Sequence, residues 1–176
     1  MDKALILKMI LKGSLDYSTL VGRYFCFKSG AFKYRDAYTI YFDEANFLHL
    51  TGVKTTLSAK DFYLKCIGQT LTINDFEIES VKDPNLKMHI EMKMKNIQKF
   101  SWVVKKPVDI EERYSQGKIK CVIATSHKKF TVCFIDGSYK DKNVLVPMSL
   151  LYGRLLHPQN NLIRGVVAIE TSSASF

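Results

Sequence analysis

At 176 residues, 47% of them hydrophobic, the chain can bury one substantial core, and a single domain spanning 1–176 is expected. Lys+Arg 26 against Asp+Glu 17 gives a formal net charge of +9, which steers the protein toward polyanions such as nucleic acid. No apolar run approaches the roughly 20 residues of a membrane span, and Lys8 interrupts the apolar start with no small-residue cleavage site after it, so a cytoplasmic protein without membrane contact is expected.

Asp2 can cap a first helix running to about Leu11, and after Gly13 a further turn from Ser14 to Val21 would place Leu15 and Leu20 inward. Tyr24-Phe25-Cys26-Phe27 and Ala37 to Phe42 are aromatic and β-branched, with a turn signal at Lys28 to Ala31, and should pair antiparallel. Lys28, Lys33 and Arg35 then fall at or near a hairpin tip, either a solvated turn or a finger that grips phosphate. Next comes Phe47-Leu48-His49-Leu50-Thr51-Gly52-Val53-Lys54, in which apolar neighbours would fix the backbone around an imidazole and bring an ammonium close by. Two readings stand here: His49 and Lys54 act on a phosphate, or His49 is a buried histidine donating to a carbonyl.

Ser58-Ala59-Lys60-Asp61 resembles a capping box and opens a helix that Gly68 ends, and Leu71 to Glu79 alternates well enough for a strand. From Pro84, Leu86, Ile90, Met94 and Ile97 form a helical stripe, while Lys87, Lys95 and Lys99 leave another face cationic. With Lys93, Lys105 and Lys106, this is the densest basic block. Trp102 is either buried or offered to a base. Pro107 to Gly117 reads as an exposed helical or irregular connection. Ile119 to Thr125 and Phe130 to Ile135 read as strands joined through Ser126-His127-Lys128-Lys129. Val144 to Leu151 reads as the approach to a helix, with Pro147 just before it and Ser149 in its first turn, and Arg164 to Glu170 supplies a last strand.

Cys26, Cys66, Cys121 and Cys133 make no Cys-x-x-Cys pair and have no histidine at zinc-finger spacing, so reduced thiols are expected. No Gly-rich phosphate loop, His-Glu-x-x-His pattern or Asp/Glu cluster occurs, which leaves no cofactor or metal to expect. RNA cleavage without metal needs a base for the 2′-hydroxyl, an acid for the departing 5′-oxygen and cations for the phosphorane charge, and a histidine with lysines suffices. His89, His127 and His157 are weaker candidates than His49: the first lies beside a helical stripe, the second in a tight hairpin tip and the third before Pro158.

The order of an aromatic strand, Asn46-Phe47-x-His49-Leu50-Thr51-Gly52-Val53, Ser58-Ala59-x-Asp61-Phe62-Tyr63-x-Lys65-Cys66, a lysine-bearing helix, two apolar strands and Val146-Pro147-Met148-Ser149-Leu150-Leu151 resembles the fourth family of PBECR nucleases. These are phage and prophage domains grouped with barnase, EndoU, colicin RNases and RelE. The resemblance is strongest in Tyr38 to Cys66 and in Val144 to Leu151, with element order carrying it between. It implies a metal-independent RNase on a compact α+β scaffold, an antiparallel sheet packed with N-terminal and middle helices. Carried over by position, it implies His49 and Ser149 as site residues, with Lys54, Lys93 and Thr125 as weaker transfers. Lys33, Arg35, Lys87, Lys95, Lys105, Lys106, His127, Lys128 and Lys129 are the expected RNA contacts.

Two functions of different class follow. The first is an RNase of mobile-element origin, with an anti-CRISPR protein that trims guide RNA as a concrete subclass. The second is a non-catalytic basic module that masks RNA or occupies an RNA-binding partner such as a CRISPR effector carrying its guide RNA. Membrane-surface binding lacks the basic amphipathic helix with an exposed apolar face that it needs.

Overall fold

A computed structural model describes residues 2–78, 84–139 and 142–172, and for 84–89, 138, 139 and 142 the backbone alone. The chain forms two compact units interleaved in sequence, Met1–Val21 with Asp43–Ser101 and Gly22–Phe42 with Trp102–Phe176.

The first unit is helical. Helix α1 (Lys3–Ser18) begins at Asp2, whose carboxylate accepts the Ala4 amide at 2.8 Å. It runs on through Gly13, past the expected end at Leu11, because α4 (Pro84–Ile97) crosses there: a β-carbon on Gly13 would lie 2.7 Å from Ile97 Cγ2. That approach offsets the cost of about 1 kcal/mol that a mid-helix glycine carries. Tyr17 is fully buried among the rings of Phe47, Phe100 and Tyr63, with centroids 5.2, 5.5 and 6.0 Å away. Leu20 is buried as expected, but Leu15 is exposed, since the continuous helix turns it away from the Ile6, Met9, Ile10 and Tyr17 face.

Helix α2 (Asn46–Thr51) is short, and α3 (Ala59–Ile67) starts where the Ser58 hydroxyl accepts the Asp61 amide at 3.1 Å and stops at Gly68. The strand expected from Leu71 is absent through residue 78, and residue 79 lies outside the described residues. Asp75 coils the segment instead, its carboxylate accepting the Thr72 amide at 2.6 Å, the Thr72 hydroxyl at 2.8 Å and Lys65 Nζ at 2.6 Å. Leu71 and Phe76 are buried while Ile73 is exposed, and a single bridge, Lys54 to Glu77, is the only strand-like pairing described. Pro84 does open α4, and Met94 and Ile97 are buried; Leu86 and Lys87 have side chains outside the described set.

The second unit is built on strands β1 (Tyr24–Lys28), β2 (Ala37–Tyr41), β3 (Val108–Glu112), β4 (Ser115–Gln116), β5 (Ile119–Lys120), β6 (Ile123–His127), β7 (Phe130–Tyr139), β8 (Lys142–Tyr152), β9 (Ile163–Val166) and β10 (Ile169–Thr171), with a four-residue helix α5 (Trp102–Lys105). Eight strands form one sheet in the order β10-β1-β2-β8-β7-β6-β3-β9, and β4-β5 make a separate hairpin. The β1–β2 hairpin pairs antiparallel as expected, but the sheet contains one parallel seam, β2 against β8 at Ile40 and Leu145.

Three expectations are corrected here. Residues 108–112 form β3 rather than a connection, because Val108 and Ile110 are buried on one face and Glu111 is satisfied on the other. Residues 144–151 are not helical but lie in β8, where the long alternation of β7 finds a partner along its whole length. Pro147 is tolerated there because the register shifts beside it, between Cys133 and Phe134. The last expected strand is two, β9 on β3 and β10 on β1, at opposite ends of the strand order. Since only Val167 and Ala168 separate them, the two sheet edges can stand no more than about 11 Å apart there, and the sheet curls until they nearly meet.

Candidate active site

Helix α2 presents His49 and Lys54 through a short, heavily tied corner. The Asp43 carboxylate accepts the Ala45 amide at 2.9 Å, Asn46 Oδ1 accepts the Asp43 amide at 3.1 Å, and the Tyr17 hydroxyl donates to the Asp43 carbonyl at 2.9 Å. Phe47 and Leu50 anchor the buried side, Gly52 closes the helix in the left-handed region at φ 71°, and its N–H donates to the Leu48 carbonyl. His49 occupies the last turn on the solvent side and is exposed, so the reading of it as a buried structural histidine does not hold, and neither does the expectation of an imidazole fixed among apolar residues. Lys54 is also exposed, and its backbone pairs with Glu77 in both directions.

Lys93 enters this corner from α4. Its Nζ lies 3.0 Å from the point a β-carbon on Gly52 would occupy, so the ammonium rests on the turn between His49 and Lys54, some 40 residues away in sequence. The placement follows from packing: Met94 and Ile97 are buried, which aims the neighbouring position 93 at α2. Burial holds the Lys93 ammonium below the usual lysine range.

Ser149 and Thr125 belong to the sheet unit. Ser149 lies in β8 opposite Cys133, and Thr125 in β6 opposite Val132, which itself faces Leu150. Alternation along β7 and β8 therefore puts Ser149 and Thr125 on opposite faces of the sheet. Thr125 is 1% exposed and its Oγ1 is buried with no hydrogen-bond partner among the described residues.

Of the expected RNA contacts, Lys95, Lys105, Lys106, Lys128, Lys129 and Lys33 are exposed. His127 Nδ1 lies 3.1 Å from the Pro107 carbonyl and its ring meets Trp102 edge-on at 5.4 Å, so α5 and the β6–β7 turn bring Lys105, Lys106, Lys128 and Lys129 into one neighbourhood. Trp102 is half-buried there. The Lys33–Arg35 loop is no free finger: Glu112 accepts the Lys33 and Tyr34 amides at 2.9 and 3.3 Å and the Tyr38 hydroxyl, and Arg35 pairs with Asp136 at 2.8 Å.

Sequence reasoning assigned no role to Glu111 and ranked His157 below His49. Glu111 is 2% exposed and holds the 157–160 turn through the His157 amide at 2.9 Å, His157 Nδ1 at 2.9 Å and Asn160 Nδ2 at 2.5 Å. The alternation Val108-Asp109-Ile110-Glu111 was the available signal. The four cysteines are free and buried, and a hydrogen bond with Cys121 together with burial pushes the Cys133 thiol far up. No described helix is long and apolar enough to cross a membrane, and no three described His, Cys, Asp or Glu side chains converge as metal ligands.

No curated protein and no solved structure matches this chain. A family model does, over residues 9–153, a span that takes in α2, α4 and the β6 to β8 strands. Its description is phage-Barnase-EndoU-ColicinE5/D-RelE like nuclease 4. With that span and this α+β architecture, the chain belongs to the PBECR4 nuclease family.

Proposed function

We propose that this nuclease-family protein is a metal-independent endoribonuclease whose reacting centre is the His49 corner. The observation that carries the reading is the desolvated Lys93 ammonium resting on Gly52, between an exposed imidazole and the exposed Lys54. A lysine shifted down by burial releases its proton more readily than an ordinary one, which suits a proton donor.

In this mechanism the His49 imidazole takes the proton of a ribose 2′-hydroxyl, and the oxygen attacks the adjacent phosphorus. Lys54 offsets the charge that grows on the phosphorane oxygens. The P–O5′ bond breaks as Lys93 delivers its proton to the 5′-oxygen, leaving a 2′,3′-cyclic phosphate and a 5′-hydroxyl. Ser149, which belongs to the sheet unit, is given no step. Thr125, fully buried, is left outside the mechanism. The lysines near Trp102 and His127 hold the RNA backbone. For a phage-associated nuclease family, guide RNA within a CRISPR effector is one concrete substrate, which would make the protein an anti-CRISPR.

One observation favours a second reading, a non-catalytic RNA-masking module: no described residue hydrogen-bonds the His49 ring to orient it. Incubation with labelled guide, transfer and messenger RNAs in EDTA separates the two. Discrete fragments ending in cyclic phosphate support the nuclease. Retained binding with intact RNA supports the module.

A further inference from the structure

The sheet unit contains a cavity of about 730 Å³ that the proposed mechanism does not use. Its walls come from the 34–38 segment, from residues 113–115 after β3, and from β5 and β7. Three tyrosines, Tyr34, Tyr38 and Tyr114, line it together with Arg35, Arg113 and Lys120. Asp136 is the only acidic residue among the lining, and it is spent on Arg35 at 2.8 Å. Arg113 and Lys120 have no carboxylate partner among the described residues, so the cavity is left with two surplus cations.

Arg113 is held in an unusual way. Its backbone sits in the left-handed region at φ 52°, fastened by its N–H to the Val122 carbonyl at 2.7 Å. Its guanidinium carbon lies 3.6 Å from the centre of the Tyr34 ring. A guanidinium that close lies against the face of the ring, which leaves its N–H edges for an acceptor. Tyr34 is itself 50% exposed and fixed from below by Glu112, which accepts the Tyr34 amide. A non-glycine residue kept at positive φ while its charged head is stacked and without an anion is the kind of strain that accompanies a binding site.

We propose that this cavity binds one nucleoside monophosphate unit of single-stranded RNA, with the phosphate on Arg113 and Lys120 and the base against the exposed Tyr34 ring, the only one of the three tyrosines that is not buried. The volume lies in the range of small-molecule sites and far exceeds what a bare phosphate fills. Arginine offers a planar fork matched to phosphate, and the exposed Tyr34 ring with the apolar side chains of Val122 and Ile135 suits an unstacked base. The choice of an RNA unit rests on the ribonuclease reading, whereas the recognition of a phosphorylated, flat, aromatic ligand does not.

Calorimetric titration with the four nucleoside 3′-monophosphates and with inorganic phosphate tests it on the full chain. Saturable one-to-one binding of at least one nucleotide, about tenfold or more tighter than phosphate, is expected. Arg113→Gly suits the positive φ, so it should fold at least as well and weaken that nucleotide about tenfold or more, as should Lys120→Ala. Absence of saturable binding to all four nucleotides, or undiminished binding by a folded Arg113→Gly protein, overturns the proposal. Phosphate binding as tightly as nucleotide overturns the base-holding part. Nucleotide binding with RNA left uncut would sink the ribonuclease reading and keep this site.

Discussion

Lys93 Nζ stands 3.0 Å from where a β-carbon on Gly52 would lie, and Gly52 has φ 71°. Gly52→Ala therefore meets two penalties, a backbone conformation that costs an L-residue about 1 kcal/mol and an ammonium that must move aside. A fall in Tm of about 2–4 °C is expected from the first and a loss of RNA cleavage from the second. Thermal melts alongside RNA cleavage assays check both, and a variant as active as the parent would separate Lys93 from the chemistry.

Lys93→Met should cleave RNA about 10²-fold more slowly or worse yet melt at a higher temperature, since it removes a desolvated charge. Because the folded-state pKa lies below the unfolded 10.5, the unfolded chain binds more protons between the two values. Stability of the parent should thus rise with pH through that window, and the rise should vanish in Lys93→Met. Denaturation curves between pH 7 and 11 measure it.

His49→Ala should lower RNA cleavage by about 10²–10⁴-fold. Its exposed position predicts a stability change within about 0.5 kcal/mol and unchanged RNA affinity. Measuring all three on one preparation decides whether the imidazole reacts with RNA. Cleavage at the parental rate would remove it from the mechanism.

Thr125→Val replaces a buried hydroxyl that has no partner among the described residues by a methyl of similar shape. It should stabilise the protein by about 1 kcal/mol and leave the rate of RNA cleavage intact. A strong loss of cleavage in a folded variant would return Thr125 to the chemistry.

Hydrogen bonds from Lys65 and from the amide and hydroxyl of Thr72 lower the Asp75 carboxyl to about 2. A depressed carboxyl contributes stability above its unfolded pKa of 3.8 and loses it as pH falls through about 2. Asp75→Asn should accordingly melt below the parent at pH 7 and match it in strong acid, as followed by circular dichroism.

Much of the helical unit was legible because its signals are local: Asp2, Ser58, Gly68 and Pro84 mark helix ends that the folded chain uses. The sheet unit was harder to read. Pro147 looks like a helix start unless the shifted register on β7 is known, and that partner lies in another strand. Val108-Asp109-Ile110-Glu111 looks like a polar connection unless His157 and Asn160 are seen to satisfy Glu111 from 46 and 49 residues downstream. At the His49 corner the sequence located the turn but not the exposure of the imidazole. The arrival of Lys93 depends on α4 crossing α1 at Gly13, which no spacing within either helix encodes.

The pairing of Tyr24 with Thr171 has a consequence for synthesis. Strand β1 leaves the ribosome with one edge open, and its outer neighbour β10 is about 140 residues behind, a wait of roughly 7–30 s at ordinary elongation rates. The hairpin of β1 and β2 is an unpaired template for all of that time. Anything that shortens the chain before β9 and β10 strips both rims of the sheet at once, so a truncated product should be an aggregating species rather than a smaller folded one.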